Sequence, residues 1–236
     1  HNLSQFPGFA ERPCESVVSW LPLFHDLGLL LGVLHPLYQG VRSVLMTPAT
    51  FVRRPYRWLN AMSRYQATTS GGPNFAYDLC VRKITPEQRA TLDLSHWNMA
   101  LNGAEPVRAE TIERFAETFA ECGFRPEAAY PSYGMAEATA TVTAGRSWAG
   151  PTFLTLDRRA LESQRVEPAE DADGATITLV GCGRTMPDQD LRIIDPDTHQ
   201  PCAPNEVGEI WVSGPSIAQG YWDNPEATKA TFEAQI

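Results

Sequence analysis

The feature that most constrains this chain is an alternation that runs through residues 1–147. Short apolar runs at 17–21, 41–46, 67–70, 98–102 and 127–130 are each followed by a segment with helical spacing. The helices are expected to begin near Asp26, at Thr47-Pro48, at Asn74, at Pro106 and at Met135. Two carry clear inner stripes: Trp58, Leu59, Met62 and Tyr65 share one face, as do Ile112, Phe115, Ala116 and Phe119. Strands separated by helices cannot pair as hairpins. They predict an α/β fold with a largely parallel sheet flanked by helices.

After Gly145 the pattern changes. Runs at 176–180, 191–194 and 207–213 read as strands separated by turn signals such as Asp195-Pro196-Asp197 and Pro204-Asn205. With no long helical pattern between them, they predict a smaller antiparallel, barrel-like β-rich subdomain. The expected division is 1–147 and 148–236, with a polar insertion near 156–174.

A net charge of -9, with no run of Lys and Arg, argues against a nucleic-acid partner. Five dispersed cysteines without a C-x-x-C pair read as reduced thiols of a cytoplasmic protein, with Cys80 and Cys122 as packing residues. The most apolar stretch, Leu27 to Leu37, is too short to span a bilayer and reads as a buried helix. No signal peptide is visible, and His1 reads as a truncation point.

In an open parallel sheet, ligands bind beyond the carboxyl ends of the strands. Four loops at that edge are rich in small and polar residues: Pro22 to Asp26, Gly71-Gly72-Pro73-Asn74, Gly103-Ala104-Glu105-Pro106 and Ser132-Tyr133-Gly134. Each has a plainer reading. Gly72 can belong to a tight turn, Glu105-Pro106 can start a helix and His25-Asp26 can cap one. Tyr133 can be a paired core aromatic, and Glu137 an exposed acid in a helix's first turn. Their convergence on one edge is what argues for a site.

Together these loops resemble the adenylate-forming superfamily. Tyr133-Gly134-Met135-Ala136-Glu137 is similar to its Y-G-x-T/A-E motif, and Trp20 to Asp26 to its upstream aromatic/His motif. Gly208-Glu209-Ile210 with Gly214 and Gly220-Tyr221 resembles a third motif, and Gly183-Arg184 with the strand ending at Asp195 fits the stretch between. The phrases S-W-L-P-L-F-H-D-L-G-L, G-G-P-N-F-A-Y-D-L-C and N-G-A-E-P-V-R-A-E-T most resemble fatty acyl-AMP ligases, whose characteristic insertion matches 156–174.

The resemblance implies a ligase that uses ATP and Mg²⁺ to convert a fatty acid to acyl-AMP, then passes the acyl group to the pantetheine thiol of an acyl carrier protein. It implies Glu137 at Mg²⁺ and His25 near the acyl carboxylate and α-phosphate, as the catalytic residues. Tyr133, with Gly134, Met135 and Ala136, lies against the nucleotide, and Gly103, Ala104, Glu105 and Pro106 line its other side. Gly72, Asn74 and Phe75 border the acyl tunnel. Ala136 stands where many members carry Thr, with Thr139 close by. The family's phosphate loop is expected before His1. Its ribose-binding Asp, hinge and catalytic Lys are expected beyond Ile236, so the chain alone is expected not to turn over. Two alternatives stand beside this reading: a fatty acyl-CoA synthetase, and a non-catalytic nucleotide- or acyl-binding module.

Overall fold

A computed structural model of the protein describes residues 14–146, 148–169 and 175–234. The chain begins with strand β1 (Ser16–Ser19), then a helical rod made of α1 (Asp26–Leu29), a π-helical turn (Leu30–Leu34) and α2 (His35–Gln39). Strand β2 (Arg42–Leu45) follows, with helices α3 (Pro48–Arg53) and α4 (Tyr56–Tyr65). Next come β3 (Thr69–Gly72), α5 (Asn74–Lys83), α6 (Pro86–Arg89), β4 (Met99–Asn102), α7 (Ala109–Phe119) and β5 (Ala129–Tyr133). The remainder comprises β6 (Thr143–Ala144), β7 (Thr152–Asp157), α8 (Arg158–Glu162), β8 (Thr176–Gly181), β9 (Arg184–Thr185), β10 (Asp190–Ile194), β11 (Glu209–Ser213) and α9 (Pro225–Phe232).

The main sheet has the order β2-β1-β3-β4-β5-β6-β9, with its first five strands parallel and its last two antiparallel. The expected parallel α/β sheet is therefore present. The later strands form two separate antiparallel ribbons, β7-β8 and β10-β11, while β9 extends the main sheet. The expected antiparallel strands are there, but among the described residues they do not close into a barrel.

The core lies under the sheet and is strongly aromatic. Trp20 stacks on Phe51 at 4.1 Å, Phe51 meets the edge of Trp58 at 5.4 Å, and Trp58 meets Trp97 at 5.4 Å. Trp97 in turn contacts Phe115 and Phe124. Edge-to-face pairs of this kind add to plain area burial. The Trp58 indole N–H donates to Ser70 Oγ, whose hydroxyl donates to the Val18 carbonyl, so this polar atom of the cluster ties α4 to two strands.

Four local expectations change. The segment at 27–37 is helical, but Leu29, Leu34, Leu37 and Tyr38 are exposed, because the rod packs on the sheet's edge through one face only. The rod loosens to π geometry just before Pro36, which has no N–H to give and leaves the Gly32 carbonyl free; Ser43 Oγ donates to it at 2.6 Å. The helix expected from Thr47-Pro48 breaks at Arg54-Pro55 into α3 and α4. The helix expected from Pro106 starts at Ala109, because the Pro106 carbonyl and the Arg108 N–H are both bonded to the Asn74 side chain. Met135 starts no long helix: residues 136–138 make a single 3₁₀ turn, and the chain returns as β6. The Met-Ala-Glu-Ala start favours helix, but the β-branched run that follows (Thr139, Thr141, Val142, Thr143) favours a strand.

The stretch at 156–169 contains α8 and the buried residues Leu156 and Ala160; residues 170–174 of the expected insertion lie outside the described ones, as do 1–13. No helix among the described residues is long and apolar enough to cross a membrane.

Candidate functional site

The carboxyl ends of β1, β3, β4 and β5 lie side by side in the sheet, so the four loops that leave them share one edge. Three of those loops enclose a cleft of about 200 Å³. Its walls include His25 from the first loop, Gly103 and Ala104 from the β4 loop, and Tyr133 to Ala136 from the β5 loop. A pocket that encloses a whole small-molecule ligand is usually 300–1,000 Å³. This cleft is sized for part of one.

Two backbone features shape it. At Gly103 a Cβ would stand 2.9 Å from the Ser132 carbonyl oxygen, so glycine lets the β4 and β5 loops close on each other. At Gly134 a Cβ would stand 1.5 Å from the Ala140 carbonyl oxygen, so the tight return from β5 to β6 accepts no side chain there. The same return holds Thr139 and Ala140 at positive φ (57° and 71°), and Ala104 across the cleft has φ 66°. Non-glycine residues in this left-handed region concentrate at functional loops.

His25 caps α1. Its Nδ1 lies 3.2 Å from the Leu27 N–H and 2.6 Å from Asp26 Oδ1. The geometry shows capping: Nδ1 accepts from the Leu27 N–H and so carries no proton, and Asp26 Oδ1 shares the cap by accepting from the same N–H at 2.6 Å. With Nδ1 held at the helix start, Nε2 is the nitrogen left to face a ligand. Tyr133 is half-buried and lines the cleft.

The other candidates stand back from the cleft. Glu137 turns toward Tyr221, whose hydroxyl donates to Glu137 Oε1 at 2.5 Å. That hydrogen bond, with the residue's own N–H, holds the Glu137 carboxyl below the ordinary carboxylate range and pushes the Tyr221 phenol up. Glu105 bonds to Asn74 Nδ2 and the Phe75 N–H, and the Pro106 carbonyl accepts from Asn74. Gly72 packs against the Trp20 ring, Asn74 is fully buried, and Phe75 is partly exposed with its ring edge-on to Trp20. Gly72, Asn74 and Phe75 thus form a second group beside the first cleft.

Sequence reasoning assigned no role to Thr141 or Tyr221. Thr141 is a buried wall of the cleft, whereas the Thr139 hydroxyl donates to the Ser216 carbonyl. Tyr221 had a signal, the Gly220-Tyr221 motif, but its contact with Glu137 spans 84 positions and is invisible to local patterns. Among the described residues no group of three or more His, Cys, Asp or Glu could hold a metal by itself.

Residues 1–222 match the AMP-binding enzyme family. The chain belongs to that family. Within it, the chain is 47% identical over 220 residues to a medium-chain-fatty-acid–acyl-carrier-protein ligase of Moorena producens, covering 92% of this chain and 37% of that protein. It is 39% identical to a 4-hydroxyphenylalkanoate adenylyltransferase of Mycobacterium marinum, over 99% of this chain and 38% of that one. A fatty acyl-adenylate ligase from L. pneumophila, solved with acyl adenylate and pyrophosphate, superposes with a TM-score of 0.89 at 46% identity, over 94% of this chain and 39% of that structure. The chain thus spans less than two fifths of the length of these relatives.

Proposed function

We propose that this chain is part of a fatty acyl-AMP ligase that joins a fatty acid to AMP and hands the acyl group to an acyl carrier protein. The observation that carries the reading is the meeting of His25, Ala104 and Tyr133, from three separate loops, in one cleft at the carboxyl edge of the parallel sheet. ATP as the nucleotide follows from the family. The fatty acid and the carrier protein follow from what two of the similar proteins are named for. Five unpaired cysteines fit a reducing, cytoplasmic setting.

In the first step a carboxylate oxygen attacks the α-phosphorus, a new acyl–phosphate bond forms and pyrophosphate leaves. Two anions must approach, so neutralising charge and fixing geometry are the main demands. His25 Nε2 donates a hydrogen bond to the developing negative charge. Tyr133 supplies a flat face for adenine, and the Gly103-Ala104 turn closes the opposite side. Gly134 to Ala136 bring main chain close to the phosphates. Since Ala136 has no hydroxyl and that of Thr139 is engaged elsewhere, Thr141 is the side chain we assign to a hydroxyl contact with the α-phosphate. Gly72, Asn74 and Phe75 border the acyl chain.

A single carboxylate suits Mg²⁺, which binds through one or two carboxylates plus substrate phosphates instead of a protein cage. Glu137 fits that part, and the ion would supply charge neutralisation at the triphosphate. Oε1 is held by Tyr221, so Oε2 is the oxygen that would face the ion.

The test is acceptor choice in the complete gene product. Loaded with acyl-AMP, it transfers to holo-acyl carrier protein and not to free coenzyme A. Preference for coenzyme A would favour an acyl-CoA synthetase, and failure to form acyl-AMP from any fatty acid would leave a binding module.

A further inference from the structure

Asn74 is fully buried, and its side-chain amide makes every hydrogen bond it is capable of. Its Nδ2 donates to Glu105 Oε1 at 3.0 Å and to the Pro106 carbonyl at 2.9 Å. Its Oδ1 accepts from Asn102 Nδ2 at 3.2 Å and from the Arg108 N–H at 3.0 Å. Asn102 is the last residue of β4 and is itself buried. One side chain at the start of α5 therefore grips the β4 loop before and after Gly103 and Ala104, the residues of that loop that reach the cleft.

Glu105 completes the grip from the other side. α5 has Pro73 at its N-cap, and Pro73 offers no side-chain acceptor to the first free amides of the helix. Glu105 Oε1 takes that place from a different loop, accepting from the Phe75 N–H at 3.3 Å as well as from Asn74. A carboxylate at a helix N-terminus is also favoured by the helix dipole. Both partners of this oxygen belong to the protein.

Between Asn102 and Glu105 lies Ala104, in the left-handed conformation and part of the cleft wall. A conformation that a non-glycine residue resists persists only where its surroundings over-determine it. Here they do: the turn is bonded to α5 on both flanks.

We infer that Glu105 and Asn74 are positioning residues, which hold the Gly103-Ala104 turn in its ligand-ready shape and join it to the start of α5. Glu105 does this through Asn74 and the Phe75 N–H and makes no contact with the nucleotide. The significance for binding rests on the adenylation reading above, whereas the brace itself does not. It joins the proposed nucleotide wall (Gly103, Ala104) to the proposed acyl wall (Gly72, Asn74, Phe75), so disturbance of one reaches the other.

The experiment uses the complete gene product as wild type, Glu105→Ala and Glu105→Gln. Glutamine keeps an oxygen that can accept from Asn74 and Phe75 but removes the charge. Hydrogen–deuterium exchange without ligand is read at the Phe75 amide and across 102–108, and affinity is measured with a non-hydrolysable acyl-AMP analogue. The brace predicts faster exchange at both places in Glu105→Ala, with protection restored in Glu105→Gln. It predicts affinity about tenfold weaker in the alanine variant and within about twofold of wild type in the glutamine variant, the scale of one lost hydrogen bond. Unchanged exchange in Glu105→Ala overturns the brace. Equal weakening in both variants, with the Phe75 amide protected in Glu105→Gln, also overturns it and makes the charge itself the ligand contact. If wild type does not bind the analogue at all, the adenylation reading fails, and the exchange data still decide the brace.

Discussion

Tyr221 donates a hydrogen bond to the Glu137 carboxylate, joining the segment after β11 to the return between β5 and β6. Three further links run in parallel. The Ala218 N–H donates to the Glu137 carbonyl at 2.8 Å, the Thr139 hydroxyl to the Ser216 carbonyl at 2.6 Å, and Gln189 Nε2 to both Ser216 Oγ and the Thr141 carbonyl. The wall of the cleft that holds Tyr133 continues into the hairpin return between β5 and β6. It is held in place by a segment more than 70 residues away, and Glu137 is the point where that strap and the proposed metal contact meet.

The first prediction concerns the Glu137–Tyr221 link. Because the folded carboxyl lies below its unfolded value, the link is fully present above the unfolded value and is lost as pH falls through the lowered one. In Tyr221→Phe the Glu137 midpoint should return toward the ordinary carboxylate value. A ¹³C-detected NMR titration of the Glu137 side chain reads this directly. Equal midpoints in the two proteins would show that the hydroxyl does not set the shift.

Gly134→Ala should be costly and Gly145→Ala nearly silent. The first places a Cβ 1.5 Å from a backbone oxygen, while the second finds its nearest neighbour at 3.7 Å. Relief at Gly134 requires the backbone to move, at about 3 kcal/mol or a melting point lower by roughly 6–12 °C for a domain of this size. Thermal melts of the two variants side by side check it.

Trp58→Ala should lose about 3–5 kcal/mol, as large-to-small core changes do. Trp58 is completely buried, touches Trp20, Phe51, Tyr77 and Trp97, and bonds to Ser70. Urea unfolding measures the loss, and a midpoint shift without a change in slope would locate it in the native core.

The cysteines should react slowly and unequally. Burial pushes the Cys80 thiol well up, and Cys14 and Cys122 are buried as well, while Cys182 and Cys202 are partly exposed. Since the thiolate is the reactive form, native alkylation at pH 8 should label Cys182 and Cys202 first and Cys80 only after unfolding. Mass spectrometry of timed samples resolves the order.

Much of the fold was legible because it rests on local signals. Apolar runs ending in glycine, proline or asparagine marked the parallel strands, and the loops beyond them marked the cleft's edge. What escaped was set by distant partners. Pro106 has the local character of a helix start, yet Asn74 takes its carbonyl and the N–H of Arg108, and α7 begins three residues later. Met135 to Ala138 reads as helix, yet Val142 returns its N–H to the Tyr133 carbonyl and closes a hairpin. Glu105 sits in the right motif, but only the fold reveals that its carboxylate faces α5. Strands as short as β6 and β9 have two residues each, too few to show a period.

On the proposed function, this sheet edge binds a nucleoside triphosphate for attack by a carboxylate. Fatty-acid-dependent ATP–pyrophosphate exchange in the complete gene product, wild type against Glu137→Ala, tests it most directly. The expected result is exchange that requires the fatty acid in wild type and falls by at least about a hundredfold in the variant, the scale of losing a charge contact made at the reacting phosphates. Wild-type exchange that ignores fatty acids, or a variant within a few-fold of wild type, would contradict it.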